Sequence, residues 1–327
     1  VRGLIAAVMS LISMVSPTHL GSGDDVQPRN TEAVVTTVSP ALPEGVKVDI
    51  VGTDTFVRVR SDGHEVVIPG YEQESYIEIS STNEVRVNVN SITYLLNQTR
   101  YGSDVPEVTT DEVAWETVST NGEYMWHDHR VHWMSQKPPA TINDDGLIQT
   151  WVIPLTVDAQ DVIVSGELYL RDAASRLWWG VGVIVLIATV MLSVLNRRAL
   201  IVLLLGISAA GTIIGALEFL GLPGEARVTP LMFIFSVVAL LLSAVAIFAD
   251  AKKRSVVVDP LIAGIGLTFL VLTWQVRDQV RAFYVPGLEA EFLARILVPS
   301  IFGAGIVALV DGVKRVVFPE RERSDRK

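Results

Sequence analysis

The chain has 327 residues, half of them hydrophobic, with no cysteine and a net charge of −10. Residues 1–175 carry 10 Lys or Arg against 25 Asp or Glu, net −15, whereas 176–327 carry 16 against 11, net +5, so the chain has two physically different halves. An acidic first half repels phosphate backbones, which sets nucleic-acid binding aside; the lack of cysteine excludes disulfides, thiolate metal sites and cysteine nucleophiles and leaves His, Met, Asp and Glu as ligands.

In chain order, Arg2 precedes LIAAVMSLISMV, an apolar stretch with the length of a signal-peptide core and too short to span a bilayer comfortably. Residues 1–23 are therefore expected to be a signal peptide or N-terminal apolar segment. Cleavage just before His19 would create a copper-chelating N-terminus, but Ser16-Pro17-Thr18 is a weak cleavage context. Residues 24–43 are polar and Pro-containing and read as a linker.

From 44 to 175 the pattern is period-two alternation. VKVDIV, TFVRVR, HEVVI, SYIEIS, EVRVNVN, QTWVIPLTV and VIVSGELYL are separated by Gly, Asp, Asn and Pro, the mark of antiparallel sheets with one buried face. Seven to nine strands suggest an all-β sandwich, immunoglobulin-like although the Cys-Trp-Cys mark of antibody domains is absent. Residues 88–102 (NVNSITYLLNQTRYG) interrupt the alternation and read as a short helix or looped crossover between sheets, with Tyr94, Arg100 and Tyr101 among its polar groups. Asn97-Gln98-Thr99 matches a glycosylation sequon.

Residues 123–136, EYMWHDHRVHWMSQ, hold three of the five histidines. On a continuous strand His127 and His129 share one face, and His132 joins them only if the chain bends near Arg130 and Val131. Such a cluster fits a metal: imidazole suits Cu, Zn and Ni, and Met125 and Met134 add thioethers that favour Cu(I), which makes copper the preferred ion and zinc the next. Asp128 is placed to orient an imidazole. The same residues equally fit a buried network, with His, Asp128 and Arg130 bonded to one another and Trp126, Trp133 and Trp151 filling the core.

Five apolar runs follow, near 177–195, 199–220, 229–249, 256–275 and 292–313, each about the 20 residues needed to cross a bilayer as a helix. Residues 176–315 are thus expected to be a five-helix transmembrane domain and 316–327 a cytoplasmic tail. Basic residues number 11 on one side (Asn196–Arg198, Lys252–Arg254 and Lys314–Lys327) and three on the other. Cytoplasmic loops carry the positive excess, which puts the β-domain outside and the C-terminus in the cytoplasm. Glu218 and Asp259 are ionisable residues of the spans and functional candidates on that ground, although both lie within about a turn of an interface, where they can hydrate. No nucleotide-binding loop, HExxH, GxSxG or kinase motif occurs.

Val87 to Gly102 and Tyr124 to Met134 resemble a group of actinobacterial cell-envelope membrane proteins, in which a V-x-V-N-S-x-T-Y-x-L-N-x-x-R-Y-G type segment precedes Y-x-W-H-D-H-R-x-H-W-M. The resemblance implies location and architecture, with no established activity and no catalytic residues. Two roles are therefore expected of the chain: a membrane-anchored extracytoplasmic protein that binds copper or zinc through His127, His129 and His132, or a non-enzymatic envelope protein with a protein or cell-wall partner, whose histidine cluster is structural.

Overall fold

A computed structural model of the chain describes residues 26–98, 112–135, 142–252 and 254–318. The expected leader with His19, most of the expected tail, Arg100 and Tyr101 lie outside the described residues. The chain divides into two compact units between Asp172 and Ala173.

The N-terminal unit is antiparallel β. One sheet runs in the order β1 (Thr31–Ser39), β10 (Gln160–Leu170), β9 (Leu147–Val157), β4 (Val66–Pro69), β5 (Ser75–Ile79), β6 (Val85–Asn88), β7 (Trp115–Ser119). A second holds β2 (Lys47–Val51), β3 (Phe56–Arg60) and β8 (Glu123–Trp126). Alternation does what the sequence predicts: Val57 and Val59 of β3 and Ile153, Leu155 and Val157 of β9 are buried, as are Val162, Val164 and Leu168 of β10. Both sheets contribute to one apolar core, which includes Val48, Val57, Ile68, Ile77, Trp126 and Trp151. Each such aliphatic side chain contributes roughly 1.5–3 kcal/mol by leaving water.

Two expectations change. The stretch read as a linker contains β1, which pairs with β10 along Thr31–Ser39 and forms a sheet edge. It looks like a linker because β1 itself buries only Ala33. The crossover at 88–102 contains a helix, α1 (Ile92–Leu96), but it connects β6 to β7, neighbours in one sheet rather than members of two.

The C-terminal unit has five helices long and apolar enough to cross a membrane: α2 (Trp179–Leu195), α3 (Arg197–Leu220), α4 (Leu231–Ala251), α5 (Ser255–Val276) and α6 (Glu291–Val317). By length and composition they fit the helices of a membrane protein. Helices α3, α4, α5 and α6 pack as successive neighbours, and α6 also packs against α2. Helix α6, whose ends are crowded by charge, is the most enclosed, with Val298, Ile301, Ala304 and Ala308 wholly buried. Small residues permit this: a Cβ on Gly303 would lie 2.2 Å from the Gly182 carbonyl oxygen of α2, the kind of close backbone approach on which helix pairs in lipid depend.

Candidate functional site

The histidine segment is not a continuous strand. β8 ends at Trp126, and the Val131 N–H donates to the Asp128 carbonyl at 3.1 Å, closing a four-residue turn. The turn forms because Asp128 caps it from within: the Arg130 backbone N–H donates to Asp128 Oδ1 at 3.0 Å, as Asp side chains do in tight turns. Arg130 then folds back on the same carboxylate, Nε donating to Oδ1 at 2.8 Å and Nη2 to Oδ2 at 2.6 Å, and the Trp126 indole N–H donates to Oδ2 at 2.9 Å. Asp128 is wholly buried. Its partners are thus Arg130 and Trp126, and the carboxylate ties the turn together. Burial weakens the Arg130 charge, but the bond to Asp128 outweighs it and holds the guanidinium above its ordinary pKa.

The turn is anchored at both ends. Gln149 of β9 donates to the Arg130 carbonyl at 3.0 Å, and the Arg130 guanidinium lies 4.9 Å over the Tyr71 ring. The Tyr71 hydroxyl accepts the His129 backbone N–H at 2.8 Å and donates to Asn97 Oδ1, while Asn97 Nδ2 donates to the Tyr76 hydroxyl at 3.3 Å. Burial pushes the Tyr71 hydroxyl well above its ordinary pKa, so it stays neutral. The Tyr71 backbone N–H in turn donates to Thr93 Oγ1 of α1 at 2.6 Å. Helix α1 is capped by Ser91, whose hydroxyl donates to Glu74 at 2.6 Å; the Thr93 N–H also donates to Glu74, at 3.1 Å. Burial pushes the Glu74 carboxyl up, but the bonds from Ser91 and Thr93 outweigh it and hold it below its ordinary range.

The two stretches singled out in the sequence, 87–102 and 124–134, are therefore joined in space through Tyr71. Tyr71, Tyr76, Glu74 and Asn97 are the network members that sequence reading missed. Asn97 appeared there only as a sequon; its buried amide, bonded at both ends, is closed to glycosylation in the folded domain.

The turn also gathers the imidazoles. His132 is wholly buried, its ring 5.7 Å from that of His127 and 5.2 Å from that of His129, both edge to face. His127 packs 4.8 Å from Phe56, and His129 lies 6.3 Å from Tyr71. The bend needed to bring His132 to the others is present. His132 Nδ1 lies 3.3 Å from the Trp133 carbonyl, a geometry that requires the proton on Nδ1. Among the described residues no three His, Asp or Glu side chains are arranged to hold a metal ion. Of the thioethers, Met125 sits opposite Arg58, and strand alternation turns it away from Trp126; Met134 is exposed. Trp126 and Trp151 are core residues and Trp133 packs against the core.

No known family model, curated protein or solved structure matches the chain. Its chemistry is read from its own residues.

The two ionisable groups of the spans differ. Asp259 of α5 pairs with Arg197 at the start of α3, beside the Arg198–Asp250 pair, an ion-pair layer at the basic end of the helices. Glu218 has no such partner among the described residues; the Gln279 side chain lies within reach of its carboxyl.

Proposed function

We propose that the protein is a membrane-anchored envelope protein: its helices cross the membrane, its β-domain stands on the extracytoplasmic side and engages a protein or cell-wall partner, and the WHDHRVHW segment is the structural keystone of that domain. The orientation rests on the excess of basic residues at one end of the helices. The role of the segment rests on Asp128, a wholly buried carboxylate with four donors from Trp126 and Arg130. Donors on that scale make a buried charge a fixture of one packing.

A second reading, a copper or zinc site at His127, His129 and His132, is favoured by the proximity of the three rings. Thermal unfolding of the full-length protein separates the two. On the structural reading, Asp128→Ala lowers the melting temperature of the β-domain and excess Cu(II) or Zn(II) leaves the wild type unchanged. A ligand site at about 100 times its Kd would instead add roughly 2.7 kcal/mol to the folded state. A metal-dependent rise that disappears in His127→Ala/His129→Ala, with Asp128→Ala unmoved, would replace the first reading by the second.

A further inference from the structure

Glu218 lies in the last turn of α3, and the chain that follows α5 closes over it. The connection begins with a 3-10 turn, Arg277–Val280, in which Gln279 is only 7% exposed. It continues through buried Val285 and Leu288 to Gly287, which is pressed onto the end of α3. A Cβ on Gly287 (φ +68°) would lie 1.9 Å from the Glu218 carbonyl oxygen, and one on Gly221 would lie 2.0 Å from the Gly287 carbonyl oxygen. Only glycine at both positions lets the backbones meet this closely.

Two acceptor oxygens on these segments are cut off from solvent. Glu218 is partly exposed as a residue, but its Oε1 is cut off from solvent and has no hydrogen-bond partner among the described residues; the same holds for Gln279 Oε1. The Gln279 side chain lies close enough to the Glu218 carboxyl to act on it. The charged groups of the flanking segments are engaged elsewhere or turned outward. Arg227 lies over Phe219 and donates to the Leu222 carbonyl; Arg295 donates to the Ala282 and Phe283 carbonyls; Arg277 lies over Trp274. Asp278, Arg281 and Glu289 are exposed, Glu291 opens α6, and the Tyr284 hydroxyl accepts the Gly287 N–H at 3.5 Å.

A buried carboxylate oxygen without a donor, with an amide neighbour whose own oxygen also lacks one, is a costly arrangement away from water. One proton removes both faults: a carboxylic acid has an O–H to give, and the Gln279 oxygen lacks a donor. We propose that Glu218 and Gln279 form an acid–amide pair that binds one exchangeable proton at this end of the helix bundle. The Glu218 O–H donates to Gln279 Oε1 while Gln279 Nε2–H donates to the other carboxyl oxygen. The proton comes from solvent and returns to it, with no electron transferred. Ionisable groups inside membrane spans commonly belong to ion or proton paths, and this pair gives the helical unit a role besides anchoring.

The test is modification of the full-length protein in detergent by a hydrophobic carbodiimide, which adds across a protonated carboxyl to leave a stable acylurea. Peptide mapping of the wild type should find the adduct on Glu218 at neutral pH, with most of it lost as the pH is raised. Glu218→Gln should lose it entirely. Because mapping locates the adduct in the unaltered chain, the result does not depend on how well the variant folds. An unmodified Glu218 at every pH, or an adduct level independent of pH, would overturn the proposal. Suppression by sodium ions at constant pH, without pH dependence, would also overturn it and assign the oxygens to a metal cation.

Discussion

Asp128 leaves water completely, and the cost of doing so is offset because Arg130 and Trp126 meet it with four donors. Removing one member of such a pair strands the other, so Asp128→Ala is expected to cost about 3–5 kcal/mol, far more than breaking an exposed surface pair. His64 and Asp158 form a pair of the surface kind, Nδ1 to Oδ2 at 2.7 Å, with His64 Nε2 against the Glu44 carbonyl at 2.9 Å. The bond to Asp158 raises the His64 pKa above its ordinary 6.5, and His64 in turn holds Asp158 below its ordinary 3.8. Stability from His64 is therefore complete below pH 6.5 and lost as the pH rises through its higher folded value; that from Asp158 is complete above pH 3.8 and lost as the pH falls through its lower one. The melting temperature should decline on the alkaline side, and His64→Asn should flatten that decline; an identical decline in the variant would show that the pair contributes nothing. Neither interaction could be placed from sequence alone. The WHDHRVH composition announces a polar cluster, but Tyr71 and Asn97, which complete it, lie 58 residues before His129 and 26 residues after Tyr71, and no local pattern marks them.

Elements were legible where one face is buried along their whole length. β3 and β9 alternate cleanly, and the helices announce themselves by unbroken apolar runs. β1 and β7 did not, because an edge strand with a mostly solvent-facing surface loses the alternation that identifies it. The β8 segment was legible as a strand, but its end was not: the Asp128 turn arises from one side chain capping its own backbone. The β9–β10 hairpin shows local chemistry that can be improved. Val157 faces Gln160, and the two residues between them, Asp158 and Ala159, both take positive φ (47° and 64°). That is the two-residue turn in which Gly is strongly preferred at the second position. Ala159→Gly should stabilise the β-domain by about 1 kcal/mol, read as a higher melting temperature; a lower one would mean that the alanine methyl contributes packing that outweighs its strain.

On the scale of the whole molecule, the acidic first half and basic second half are the same division that the fold makes near residue 172. An acidic β-unit and five apolar helices with Arg197, Arg198, Lys252 and Arg254 at one end fit an exported domain held by a membrane anchor, because positive charge is retained on the cytoplasmic side. A chain without cysteine makes this orientation directly measurable, since any thiol introduced is the sole thiol. Ser119→Cys, at the end of edge strand β7, and Ser324→Cys, near the C-terminus, would each be exposed in intact cells to a membrane-impermeant maleimide. The account predicts labelling of Ser119→Cys before lysis and of Ser324→Cys only after it; the reverse pattern would contradict an extracytoplasmic β-domain.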